Sequence, residues 1–207
     1  MKLNPEFAKI LAPAYPRCSS FSGACSSMRW NPEQGHVPRG FLGAVGNLKE
    51  IELVLVFAEP GDPAEGERSS TLASTYSLVT RGFQGRGDQF HQNVFRILDS
   101  CWPKLTFEQQ LRKVWMTESV LCSATVTTGP VSRSVTKECG QRYLLEQLKQ
   151  IPSALVVALG SKARQRLKVI GVTDFLPAFS VAPPGCNFSG ACESWDRIPR
   201  ELKRRMR

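Results

Sequence analysis

The chain has 207 residues, a formal charge of +9 and a pI near 9.4. Its 42% hydrophobic and 22% charged content excludes a disordered or fibrous chain and suits one domain with its own core. The positive surplus favours polyanionic partners, with nucleic acid first and an anionic membrane surface second. No run of about 18 apolar residues offers a membrane span, and residues 1–15 lack the apolar core and cleavage site of a signal peptide. A cytoplasmic, nucleoid-associated monomer is expected. Seven cysteines, an odd number, point away from a disulfide framework and toward metal or cluster ligation.

In chain order, residues 1–50 are rich in Gly, Pro and Ser and read as an irregular arm with a short helix near Glu6 to Ala12, in need of something to hold it down. A first strand follows at Glu52 to Ala58, then a polar loop from Pro60 to Ser70 and a short helix from Leu72 to Val79. From Asp88 to Cys101, Val94, Ile97, Leu98 and Cys101 mark one helical face, and Pro103 ends it. Val114 to Leu121 reads as a second strand. Val135 to Ile151 reads as a helix with Leu145, Leu148 and Ile151 inward, and Ala154 to Leu159 as a third strand.

Ser161 is an N-cap candidate for a helix through Leu167. Phe175 to Ala182 reads as a fourth strand ending at Pro183-Pro184-Gly185, and Trp195 to Arg207 as a basic closing helix. Strands alternating with helices imply a parallel sheet covered on both faces. Phe-Ser-Gly-Ala-Cys occurs at Phe21 to Cys25 and again at Phe188 to Cys192, a match short enough for coincidence.

The most informative stretch is Leu53 to Gly61, where an apolar strand runs into Ala58-Glu59-Pro60-Gly61. A carboxylate at the carboxyl end of a parallel strand stands where α/β sheets bind ligands. With Gly82-Phe83-Gln84-Gly85-Arg86-Gly87, then Thr117-Glu118-Ser119-Val120-Leu121-Cys122, then Ala154 to Gly160, the order of segments resembles the uracil-DNA glycosylase superfamily, and in particular its iron-sulfur-containing bacterial and archaeal branch. The likeness covers roughly residues 50 to 190 and rests on the fixed order of four short motifs. It implies a three-layer α/β/α sandwich around a four-stranded parallel sheet, and a monofunctional enzyme that hydrolyses the bond between a base and deoxyribose. No lysine is sited for a lyase step, so no strand nicking is expected.

The resemblance assigns roles residue by residue. Glu59, directly before Pro60 and Gly61, is the carboxylate that orients water and stabilises an oxocarbenium-like sugar; similar branch members carry a Glu one residue earlier, where this chain has Ala58. The other reading of Glu59 is a turn-capping residue. Phe83 is the aromatic that stacks on an extruded base, or else a core plug.

Glu118 stands where the similar uracil enzymes have Asn. Ionised, it only accepts hydrogen bonds, which suits an exocyclic amino group and repels the 4-carbonyl of uracil. A cytosine-type base is expected, such as a hypermodified cytosine of phage DNA, in which case the enzyme serves antiviral defence. If Glu118 is protonated or salt-bridged, this inference does not hold.

In the loop after the fourth strand, Ala182 stands where the superfamily often has a histidine, and Asn187 or backbone N–H groups of this loop would take over the leaving base. Pro184 and Gly185 complete the base pocket. Phe188 is a wedge for the base stack or a loop anchor. Cys18 and Cys25, with Cys122 and Cys139, are the implied ligands of a [4Fe-4S] cluster, with a four-cysteine zinc site or free thiols as alternatives; the first pair has six intervening residues where the branch ordinarily has two. Among the basic residues, Arg133 and Lys162 lie nearest strand ends and are the candidate phosphate contacts. The remaining alternatives are ordinary uracil repair, an inactive DNA-binding member, and a nucleotide-binding protein with a phosphate site at Ala158 to Ser161.

Overall fold

The computed structural model describes residues 2–15, 17–85, 87–127 and 129–206. Arg86 of the glycine-rich motif and Arg207 of the basic tail lie outside the described residues. The chain forms a five-stranded mixed sheet: β1 (Leu42–Gly43), β2 (Leu53–Phe57), β3 (Val114–Glu118), β4 (Leu155–Leu159) and β5 (Leu176–Ala178), in the order β1-β3-β2-β4-β5. Four strands are parallel as expected, and β1 adds an antiparallel edge that corrects the purely parallel, four-stranded expectation. The cause is register: Leu42 and Gly43 pair with Met116 and Trp115, and two residues in a Gly-rich arm carry no periodicity from which a strand can be read.

All five residues of β2 are buried, as are those of β3, as expected for strands covered on both faces. The helices are α1 (Pro5–Leu11), α2 (Leu72–Gly85), α3 (Gln89–Cys101), α4 (Phe107–Lys113), α5 (Arg133–Cys139), α6 (Leu145–Gln150), α7 (Ser161–Val169), α8 (Ala191–Asp196) and α9 (Ile198–Arg205). The predicted face of α3 is right, with Val94, Ile97, Leu98 and Cys101 all buried.

Several boundaries differ. α2 continues past Val79 to Gly85, so Phe83 is helical rather than in a loop. α4 was not anticipated, although Thr106 and Gln109 form a capping box at its start. The helix expected over residues 135–151 is α5 and α6 joined by a wide π turn at Gly140–Leu144, and in its second half Tyr143, Leu144, Gln147 and Ile151 are buried, with Leu145 and Leu148 only partly buried. Gly160, with φ +98°, caps α7 in place of Ser161; a Cβ there would stand 3.2 Å from Cβ of Ser180. The basic closing helix is two helices, α8 and α9.

The arm is held by packing. Phe7, fully buried in α1, lies 4.5 Å from the ring of Trp115 in β3, and Phe41 lies 6.2 Å from it. The indole N–H of Trp115 donates to Oε1 of Gln147 at 2.8 Å, which satisfies the one polar atom of that buried ring. Asn4 Nδ2 ties the start of α1 to the carbonyl of Gly46 at 2.8 Å. Among the described residues no helix is long and apolar enough to cross a membrane.

Candidate active site

The carboxyl ends of β2 and β3 open onto a cavity of about 760 Å³, within the size that holds a drug-sized ligand. Its floor is residues 57–61, with Glu118 at the end of β3. Phe83 from α2, Phe90 and His91 from α3, and Val181 and Ala182 after β5 form the walls, with Arg39 and Gly40 of the arm. Of the expected site residues, Ala58, Glu59, Pro60, Gly61, Phe83 and Glu118 line this space. Pro184, Gly185, Asn187, Phe188, Arg133 and Lys162 do not.

Where β2 ends, the carbonyl of Ala58 accepts from the N–H of Val120 (3.2 Å), Oγ of Ser119 (2.5 Å) and Nη1 of Arg166 (2.7 Å). This fixes the backbone from which Glu59 projects. Glu59 Oε1 lies 2.6 Å from Nζ of Lys162, and Oε2 lies 2.6 Å from Nη1 of Arg166, the latter a charge contact without hydrogen-bond alignment. The two cations sit four residues apart on α7, hence on one face. Lys162, expected at the DNA backbone, is therefore held by Glu59 and by the carbonyl of Gly129 at 3.0 Å. The Glu59 side chain is 5% exposed and that of Arg166 7%, so Glu59 serves as the buried centre of an ion triad and does not cap a turn.

Glu118 is buried, and its Oε2 has no hydrogen-bond partner. Burial, and then the charge of Glu59, push its carboxyl well above the usual range, against the opposing pull of Arg166 and Arg39. The shift favours the protonated form, which presents one O–H donor and one carbonyl acceptor, over the acceptor-only carboxylate. Gly40, with φ +84°, makes room for it: a Cβ at residue 40 would stand 2.5 Å from Cγ and Oε1 of Glu118.

The Phe83 ring is 4% exposed and packs at 6.1 Å on Phe90, 6.1 Å on Phe107 and 4.6 Å on His91. It is a core aromatic that also forms cavity wall. Arg133 is exposed at the start of α5. Phe188 is 61% exposed and pairs with the half-exposed Phe179 at 5.9 Å, so it anchors nothing in the core. Asn187 is exposed, and its Oδ1 accepts from Nε2 of Gln89 at 3.1 Å; it is a surface bridge between α3 and the loop after β5, outside the cavity.

Cys18, Cys25, Cys122 and Cys139 are all buried. Burial and the other three thiols push Cys122 well up; burial and then Cys18 push Cys25 up to about 11; burial, with Cys25 and Cys18 contributing, pushes Cys139 up to about 12. At Cys18 burial acts the same way, but the hydrogen bond from Tyr143 (3.1 Å), those from Ser20 and the charge of Arg142 outweigh it and leave the thiol below its ordinary value. The arm's two cysteines and the two that follow β3 therefore form one electrostatic group. Among the described residues no three His, Cys, Asp or Glu side chains converge as a single metal ion requires.

Arg166, Arg39, Gly40 and His91 were missed from sequence. Lys162 and Arg166 carried a signal in their four-residue spacing, and His91 in being one of only two histidines. Compared with models of known protein families and with curated proteins, the chain matches none.

Proposed function

We propose that the protein is a monofunctional DNA glycosylase of the uracil-DNA glycosylase type, which flips one base from DNA and hydrolyses its glycosidic bond to leave an abasic site. The observation that carries the reading is one cavity onto which an ion-paired carboxylate, Glu59, and a buried carboxyl pushed toward its protonated form, Glu118, both open. A base extruded into it meets Glu118 at its hydrogen-bonding edge and the Phe83 and Phe90 walls at its faces. Glu59, held by Lys162 and Arg166, keeps lone pairs to orient water at C1′ and places negative charge beside the sugar cation as the bond breaks. The amine of Lys162 is engaged by Glu59 and Gly129, so strand nicking through an imine is not part of the reading.

The favoured substrate is a modified cytosine such as occurs in phage DNA, in an enzyme of antiviral defence. Glu118 donates to N3 and accepts from the exocyclic amine of such a base, and the cavity exceeds what one pyrimidine ring fills. Uracil repair is a second reading, favoured by the same neutral carboxyl, because a donor beside an acceptor also matches the N3–H and 4-carbonyl of uracil. DNA is the partner, the working unit a monomer and the nucleoid its place, with Arg133 on the phosphates and Phe188 as wedge.

Cys18, Cys25, Cys122 and Cys139 would hold a [4Fe-4S] cluster, whose chemistry here would be structural, pinning the arm to β3. Four buried thiols in one group fit that role, and a four-cysteine zinc site is the second reading of the same residues. Incubation with DNA carrying a panel of natural and phage-type bases, then alkaline cleavage and mass detection of the released base, tests the reading. Release of a cytosine derivative is expected and is lost in Glu59→Gln. Release of uracil alone decides for repair, and DNA binding without release of any base leaves the inactive binding protein.

A further inference from the structure

A base that leaves a sugar takes the bonding electron pair with it and departs fastest when a proton or a hydrogen-bond donor meets it. Around the cavity the obvious candidates are committed elsewhere or absent. Both oxygens of Glu59 face cations of α7. Glu118 is the buried edge reader. Asn187 lies outside the cavity with its carbonyl engaged by Gln89, and Ala182, which does line it, has no polar side chain.

His91 remains. It is half-buried on the first turn of α3 and lines the cavity. Its Nδ1 lies 2.7 Å from Oδ1 of Asp88. A carboxylate only accepts, so Asp88 holds Nδ1 as the donor and confines proton exchange to Nε2. The same Asp88 oxygen caps α3 by accepting the backbone N–H of His91 at 2.9 Å, which locks the aspartate in turn. The ring stands edge-on to Phe83 at 4.6 Å and to Phe90 at 5.2 Å, the two aromatics that wall the base. A Cβ at residue 82 would stand 3.6 Å from Nε2, so the nitrogen faces the cavity-lining Gly82.

The turn that carries His91 is tied to the loop after β5 twice, by Asn93 Nδ2 to the carbonyl of Val181 at 2.9 Å and by Gln89 to Asn187. His91 therefore shares its wall with Ala182. The charged groups that line the cavity with it are Asp88 on its own turn, Arg81 on α2, Arg39 of the arm, Asp62 and Glu67 of the loop after β2, and Glu59 and Glu118 from the sheet; Ser180, Val181 and Ala182 of the facing loop carry none.

We infer that His91, oriented by Asp88, is the general acid that protonates the departing base. The inference rests on the glycosylase reading. In the step, the C1′–N1 bond breaks with its electron pair on the base, Nε2–H passes its proton to that base, and water adds to C1′. The proton lost by that water returns to His91 through solvent, so the net change is consumption of one water.

The experiment is single-turnover base release from the panel DNA that the wild type cleaves, with His91→Ala, His91→Gln and Asp88→Asn, and with Glu59→Gln as reference. His91→Ala should slow release by about 100-fold or more, with DNA affinity and melting temperature unchanged. Added imidazole should restore part of the rate, and the pH–rate profile should lose one limb. Asp88→Asn should act in the same direction more weakly. His91→Gln guards against a folding defect in the alanine variant. Release at the wild-type rate by His91→Ala or His91→Gln, while Glu59→Gln is inactive, overturns the assignment and leaves the glycosylase standing. Loss of rate without imidazole rescue and with the pH profile unchanged overturns it in favour of a structural role. A wild type that releases no base overturns both.

Discussion

Burial, and then the charge of Glu59 beside it, push the Glu118 carboxyl well above its ordinary range. One carboxyl is engaged by two cations and the other is pushed toward its protonated form, and the two face one cavity. The different environments of two side chains of the same type give them different work.

The pH dependence of stability follows. In the unfolded chain Glu118 ionises near its ordinary value of 4.5, whereas folded it holds its proton well above that. Its contribution to stability is full below the unfolded value and falls away as pH rises toward the folded one. Glu118→Gln should therefore be increasingly more stable than the wild type as pH rises above the ordinary carboxyl value of 4.5, read by urea melts at each pH. A stability difference that does not change with pH would show that Glu118 is ionised in the fold.

The same variant reports on base reading. Glutamine preserves a donor and an acceptor, so Glu118→Gln should release base within about tenfold of the wild type, while Glu118→Ala should lose about 10- to 100-fold. An acceptor-only role predicts instead that glutamine fails as badly as alanine.

Gly40→Ala tests the space that Glu118 needs. The new Cβ would meet Glu118 at 2.5 Å from a left-handed backbone position, so a loss of about 1–3 kcal/mol is expected, measured by denaturant unfolding. Combining it with Glu118→Ala should recover the part that comes from the clash and leave the backbone strain.

Arg166→Met removes one cation from a carboxylate that is 5% exposed. Breaking a buried pair costs about 3–5 kcal/mol, and base release should fall with it. Glu59→Gln should lose about 100-fold or more in single-turnover rate with DNA binding preserved. If release survives in Glu59→Gln, Glu59 belongs to the fold and not to the chemistry.

For the four buried thiols, anaerobically purified protein should carry iron and absorb near about 400 nm. Cys122→Ser and Cys139→Ser should lose both. Because Phe7 and Phe41 hold the arm against Trp115 independently, the variants should remain folded at 25 °C by circular dichroism, a temperature typical for such measurements. Colourless, metal-free wild type with full stability would remove the cluster.

The sequence by itself determined the elements whose physics is local. The continuous apolar runs of β2 and β4 announce buried parallel strands, the spacing of Val94, Ile97, Leu98 and Cys101 announces the inward face of α3, and Glu59 before Pro60-Gly61 announces a carboxylate at a strand end. The capping box of α4 is local too. What only the tertiary structure decided are the relations between segments distant in the chain. Two residues of a Gly-rich arm become a fifth strand only because β3 offers its edge. Arg166, which reads as one more surface charge on a basic helix, reaches Ala58 and Glu59 across 107 positions or more of sequence because α7 packs beside the end of β2. The protonation of Glu118 likewise depends on burial and on a neighbour 59 residues away, and desolvation and Coulomb interaction act through space, with no periodicity or spacing to record them.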